Sequence, residues 1–404
     1  MTAIAPENLD TRRDERRTLS IASGAHALHD GYTDLIYVML PLWQAEFGLS
    51  YAAVGILRGV FAGTMASLQI PAGFLAERVG AVTVLAGGTA LAGLGYCIAG
   101  LSGSFAVLVT ALLIGGIGAS TQHPIASALV ARAFAGPRSL KALGGYNFAG
   151  DIGKMTVPAL AALMITLMPW RPALGILGAL GLVAALAIAL ITPRAANGTA
   201  AEQKTKSASA PRRVYRYAFP TLLSIGVIDS AVRMAFLTFL PFILTGKGAS
   251  LPLIGVALTL VFAGGAAGKL VCAFIGARIG ATATVCLTEI LTIVLILAIL
   301  PLPLEAAMII LPLIGIALNG TSSVLYGSVP DLVEPAKHGR AFGIFYTGTI
   351  GSGAVAPVLF GFAGDALGLT YAVMLIAAAV LLTIPLALIL RPALSAQPQS
   401  PSTV

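Results

Sequence analysis

His26, Asp30 and Asp34 stand at successive four-residue intervals near the start of the chain. On a helix that spacing stacks an imidazole and two carboxylates along one face. Two carboxylates in a low-dielectric setting resist joint ionisation, so the three groups suit the uptake and relay of protons. The plainer alternative is that both carboxylates accept hydrogen bonds from a neighbouring helix while His26 bonds a backbone group. His29 has a weaker claim on the same role. Asp151 and Lys154, at i and i+3, and Asp229 and Arg233, at i and i+4, are each placed to pair on their own helix, either as neutral structural pairs or in binding and gating. Arg58 and Lys269 have no carboxylate within a helical turn of sequence. A guanidinium at Arg58 can grip a carboxylate or phosphonate through two parallel hydrogen bonds, with Asp30 or Asp34 as its alternative partner. Lys269 can snorkel towards water instead.

Further polar groups lie at Gln122, His123, Tyr146, Asn147, Asn319 and Tyr326, where a hydrogen bond to a neighbouring backbone is explanation enough for each alone. Glu289 reads as structural or interfacial. Cys97, Cys272 and Cys286 lie in apolar runs without metal or disulfide spacing, and no cofactor is expected.

The elements that must hold these groups are apolar. The 404 residues are 57% hydrophobic and 10% charged, with a mean hydropathy of +0.93, whereas soluble domains carry about 25% charged residues. Apolar runs of membrane-spanning length are cut by short Gly, Pro and charged clusters. They predict an all-α membrane fold of twelve spans: 19–47, 51–78, 81–101, 105–133, 139–168, 170–193, 215–245, 251–279, 282–302, 304–331, 338–366 and 369–392. At about 1.5 Å per residue, Asp30 and Asp34 fall roughly 17 to 23 Å into the first span. An ionisable group at that depth costs about 2.5 to 3.5 kcal/mol on insertion scales, which makes each a functional candidate.

The expected organisation is a polar tail (1–18), a six-helix half (19–193), a Ser-, Ala- and Lys-rich linker (194–214), a second six-helix half (215–392) and a short tail (393–404). The polar start lacks the features of a signal peptide and reads as a cytoplasmic tail. With both termini inside, the cytoplasmic segments hold basic residues from Arg12 and Arg13 through Arg78, Arg138, Arg278 and Arg340 to Arg391, while the outside loops hold only Arg171 and Lys247. The net charge of +8 is therefore a topology signal, and no basic face for nucleic acid is present.

A repeat runs through both halves at an offset of 200 residues. Leu40-Pro41 matches Leu240-Pro241, Gly48 matches Gly248, Gly55 matches Gly255, and Arg78-x-Gly80-Ala81 matches Arg278-x-Gly280-Ala281. Gly150-Asp151-Ile152-Gly153 likewise matches Gly348-Thr349-Ile350-Gly351, each ahead of a proline. Polar residues at matching depth in the first and seventh spans suggest a site near the bilayer midplane.

Two six-helix halves, a polar linker and the run Gly73-Phe74-Leu75-Ala76-Glu77-Arg78-Val79-Gly80 resemble the major facilitator superfamily. That resemblance implies twelve transmembrane helices, a gating role for Glu77 and Arg78, and a monomer. The superfamily's final basic pair is absent here, since Ala81 and Val82 stand in its place. The N-terminal half, with its His26-x-x-x-Asp30 opening, PLWQAEFGLSYAAVG, Pro124 after His123, and GGYNFAGDIG, resembles the fosmidomycin-resistance group of efflux permeases. Asp151 and Lys154 depart from that group. Gly150-x-x-Gly153 followed by Pro158 is similar to the antiporter signature.

The reading is a secondary transporter in the inner (plasma) membrane, coupled to protons through His26, Asp30 and Asp34. It exports a small organic substrate, anionic or amphipathic, held by Arg58, Tyr146, Asn147, Asp151, Lys154, Asp229 and Arg233. Uptake of an organic anion is the alternative, and a divalent metal permease using His26, His29, Asp30 and Asp34 is the third. No nucleotide-binding motif and no Ser/His/Asp or H-E-x-x-H set points to ATP use or an enzyme.

Overall fold

The computed structural model describes residues 9–134, 137–193, 215–334 and 337–395. The expected linker 194–214 and most of the C-terminal tail lie outside the described residues. Among those described, regular structure is helical throughout: α1 (Leu9–Phe47), α2 (Tyr51–Val79), α3 (Ala81–Gly100), α4 (Phe105–Ala119), α5 (Gln122–Ala133), α6 (Pro137–Leu167), α7 (Trp170–Ile191), α8 (Ala218–Gly246), α9 (Leu251–Ile279), α10 (Ala281–Ala298), α11 (Leu304–Leu332), α12 (His338–Leu367), α13 (Leu369–Val380) and α14 (Thr383–Ser395).

These segments make twelve spans. Phe105–Ala133 is one span broken between α4 and α5, and Leu369–Leu394 is one span broken between α13 and α14. Eleven spans are long and apolar enough to cross a bilayer on hydropathy alone. The exception is α1, which has ample length at 39 residues but carries His26, His29, Asp30 and Asp34 along its middle. The helix also starts earlier than the tail expected at 1–18, because residues 9–18 continue it. Glu15 anchors that extension by a two-pronged ion pair, its oxygens 2.9 and 3.2 Å from the Arg138 guanidinium at the start of α6.

The repeat is visible in the backbone. Gly48 and Gly248 have φ of 60° and 89°, and Gly80 and Gly280 have φ of 102° and 85°. That conformation disfavours a Cβ, so the same turn demands glycine at both copies. The two basic residues assigned to outside loops serve equivalent helix ends. Arg171 donates to the Ser102 carbonyl just past α3 (2.9 Å), and Lys247 donates to the Leu300 and Leu302 carbonyls just past α10 (2.7 and 2.6 Å). Both cations satisfy carbonyls that a helix C-terminus leaves open.

The chain divides into two compact units, one comprising Met1–Val38 with Val60–Glu202 and the other Met39–Gly59 with Gln203–Val404. The core of the first gathers Leu85, Ile125, Leu129, Val130, Tyr146 and Ile188; that of the second gathers Leu222, Ile225, Val329, Phe345, Ala387 and Leu390. Residues 39–59 fall with the second unit, where Gly55 lies against the Pro357 backbone and the Tyr51 and Ala52 N–H groups donate to the Asp365 carboxylate (2.6 and 3.0 Å). Large apolar side chains such as Phe74, Leu163, Val183, Leu270, Phe362 and Leu388 remain exposed, as a lipid-facing surface requires.

Candidate functional site

Asp30 is the centre of the polar cluster in the first unit, and three helices bring its neighbours. From α1 itself come His26, with Nε2 3.4 Å from Asp30 Oδ1, and His29, with Nε2 3.8 Å from the same oxygen. From α5 comes His123, its Nε2 3.9 Å away. From α6 comes Lys154, with Nζ 3.4 Å from Asp30 Oδ2. Asp30, His26 and His29 are all under 8% exposed. An ionised carboxylate at such a depth needs a counter-charge, and the Lys154 ammonium supplies it.

Local sequence explains each approach. Pro124 has no N–H to offer the helical ladder, and the span breaks at Ser120 and Thr121 just before it, which delivers His123 at the start of α5. On α6, Gly150 and Gly153 allow close passage of α1. A Cβ on Gly150 would sit 2.6 Å from Asp30 Oδ2 and 2.7 Å from His26 Cε1, and one on Gly153 would strike the Ala27 carbonyl. Tyr146, a turn before Gly150, stacks on the His26 ring (4.1 Å between centroids, 13°), while His29 and His123 meet edge-to-face (4.8 Å, 88°).

The tautomer of His26 follows from its partners. Nδ1 lies 2.9 Å from the Tyr146 carbonyl oxygen, which can only accept, so Nδ1 carries a hydrogen. The second nitrogen, Nε2, therefore faces Asp30 as the position where a proton is gained or lost. A proton entering this cluster has two adjacent seats, the Asp30 carboxylate and His26 Nε2. The His26, Asp30 and His123 ligand atoms also lie within 4.8 Å of one another, close enough to hold a transition-metal ion. The ammonium at 3.4 Å opposes a dication there.

The predicted residues separate into groups. His26, Asp30, Tyr146 and Lys154 come together. Lys154 also reaches across to Asp30 on α1, and Asp151 is buried one turn away on α6. Asp34 is buried at 6% one turn beyond Asp30. Asn147 is exposed, as are Glu77 and Arg78 near the end of α2 and Lys269 on α9. In the second unit Arg58 is 2% exposed, with Nη2 3.7 Å from Met234 Sδ. There too, Arg233 Nη1 donates to Asn319 Oδ1 of α11 (3.3 Å), and Asp229 is 5% exposed. Of the two readings of Glu289, structural or interfacial, its 2% exposure fits the first, with its face of α10 turned to the hydroxyls of α11 and α14.

Comparison with known sequences decides the family. Residues 22–226 and 222–403 match the Major Facilitator Superfamily. The chain belongs to that superfamily. It is therefore a multi-pass membrane protein and a secondary transporter of a small molecule, not an enzyme. Among curated relatives, the fosmidomycin resistance protein of Escherichia coli is 31% identical over 147 residues, 36% of each chain. Another, from Cupriavidus necator and named "Probable sulfoacetate transporter SauU", is 29% identical over 152 residues, 36% of this chain and 34% of the relative. The multidrug resistance protein MdtL of Shewanella oneidensis is 24% identical over 232 residues, 57% and 58% of the two chains. The match to the first two spans about a third of their length. Among solved structures, the superfamily fold is shared with a bacterial homolog of the human lysosomal transporter Spinster in an inward-facing, unoccupied conformation (TM-score 0.79, 16% identity, 96% of this chain and 99% of that one). It is shared also with the nucleoside transporter NupG (TM-score 0.76, 14% identity, 93% and 99%).

Proposed function

We propose that this chain couples protons to the passage of a small organic anion across the inner (plasma) membrane, working as a monomer. The observation that carries the reading is the Asp30–Lys154 ion pair inside its cage of three histidines. While Asp30 is ionised, it holds the ammonium. When Asp30 takes a proton, the site around Lys154 becomes one charge more positive and attracts an anion. Proton and anion therefore favour one another's binding, which is the condition for moving together. Lys154 is suited to this because its side chain keeps 34% exposure while the Asp30 side chain has 9%. Arg58, a second buried cation, is assigned to the anion as a two-pronged contact. Tyr146 positions His26, while Asn147, Asp151, Asp229 and Arg233 remain proposed contacts. Asp34 is the next proton acceptor along α1, and Glu77 and Arg78 are assigned to gating.

The relatives support an organic substrate, and the name of one of them, sulfoacetate, is that of an organic anion. Others are named for drug efflux or resistance, so export is the second reading. It requires substrate and proton to compete rather than cooperate. The three ligand atoms around His26 favour a third, transition-metal passage.

Proteoliposomes with an imposed pH gradient separate these readings. Phosphonate and carboxylate substrates should accumulate with the parent protein, lose gradient-driven accumulation with Asp30→Asn, and bind weakly with Arg58→Ala. Equal transport by all three proteins would overturn the site assignment. Metal flux abolished by His123→Ala, with no anion flux, would establish the metal reading instead.

A further inference from the structure

Beyond the Asp30 cluster, a second acid group lies in the other unit. Asp229 of α8 and Glu289 of α10 are 60 residues apart in sequence (289 − 229) and 5% and 2% exposed. Each carboxyl group lies within hydrogen-bonding reach of the other, and Glu289 also lies beside the hydroxyls of Thr321 on α11 and Thr383 on α14. Two ionised carboxylates present acceptor oxygens only, so a buried pair this close can hydrogen-bond to each other only when one carries a proton. The surroundings agree. Glu289 Oε1 is buried and has no hydrogen-bond partner among the described residues, so no donor is present to stabilise a charge on that oxygen. The Thr321 hydroxyl donates to Thr288 (2.6 Å), and Thr288 in turn donates to the carbonyls of Thr284 and Val285 (2.9 and 3.1 Å). The hydroxyl protons beside Glu289 on α10 and α11 are thus already committed.

We propose that Asp229 and Glu289 form a second proton-binding site, holding one exchangeable proton between two carboxyl groups. Arg233, one turn after Asp229 on α8, is the cation that faces the pair and is bonded on its other side to Asn319. Cys286, one turn before Glu289, is the other titratable neighbour. Closer engagement of Arg233 with Asp229 stabilises the charged form and expels the proton. Withdrawal of Arg233 towards Asn319 lets the proton return. A proton site built this way lies in a different unit from Asp30 and does not rely on Asp30 or on the direction of transport.

Infrared difference spectra of the purified chain in lipid nanodiscs, taken between acid and alkaline buffer, test this. The parent should show a carboxylic-acid C=O band that appears on acidification and shifts in deuterium oxide. One component of that band should be lost in both Glu289→Gln and Asp229→Asn and should persist in Asp30→Asn, which separates this site from the proton reading above. Each variant is first matched to the parent in thermal unfolding; should Glu289→Gln fail that check, Asp229→Asn decides. An acid-induced carboxylic-acid region that is identical in the parent and the folded pair variants would overturn the proposal.

Discussion

At the residue scale, the proposed coupling rests on how little room surrounds Asp30. The absence of a side chain at Gly150 lets Asp30 and His26 occupy the space a methyl would take. Gly150→Ala should reduce transport by about tenfold or more, since displacements near 1 Å in a reacting group cost up to about a hundredfold. Stability should change little, because the intruding methyl meets side-chain ends. Gly87→Ala, which meets nothing within 4 Å, is the control for the flux assay. Lys154→Met should raise the substrate concentration for half-maximal transport by about tenfold, while Lys154→Arg keeps most of the affinity, because what matters is a cation opposite Asp30. An unchanged anion affinity in Lys154→Met would remove lysine from the mechanism. These residues were only partly legible in the sequence. The i, i+4 spacing of His26 and Asp30 revealed the α1 share of the cluster. Lys154 and His123 escaped assignment to it because their partners lie on another helix, more than 90 residues away (123 − 30 for His123).

At the element scale, the repeat makes predictions that do not depend on substrate. Gly80 and Gly280 hold left-handed backbone at the same turn in both halves, so Gly280→Ala should lower stability by about 1 to 2 kcal/mol, read as a loss of about 1 to 2 °C in the unfolding midpoint. Gly276→Ala, whose Cβ makes only an ordinary 3.7 Å contact, should leave it unchanged. The span boundaries and the repeat were legible because hydropathy and glycine placement are local properties. The helical start of α1 at Leu9 was not, since its anchor is the Glu15–Arg138 pair, a contact across 123 residues (138 − 15). The burial of Glu289 was hidden for the same reason. A single acid in an apolar run looks identical whether it faces lipid or a row of threonines on two other helices.

At the scale of the whole molecule, the chain's membership of a transporter superfamily sets the task, and the distribution of basic residues predicts an orientation that labelling can test. In a background lacking Cys97, Cys272 and Cys286, cysteines introduced at exposed Gly103 and Ser250 should react with a membrane-impermeant reagent added outside, and one at exposed Lys337 should not. Labelling of Lys337→Cys alone would reverse the topology. The most direct measurement is the proton movement that accompanies substrate. Proteoliposomes without a gradient receive the anion while external pH is recorded. The account predicts that the medium turns alkaline as protons enter with the anion. It further predicts that Asp30→Asn abolishes the pH change and still exchanges labelled for unlabelled anion across the membrane. Acidification of the medium, or an unchanged signal in Asp30→Asn, would contradict it.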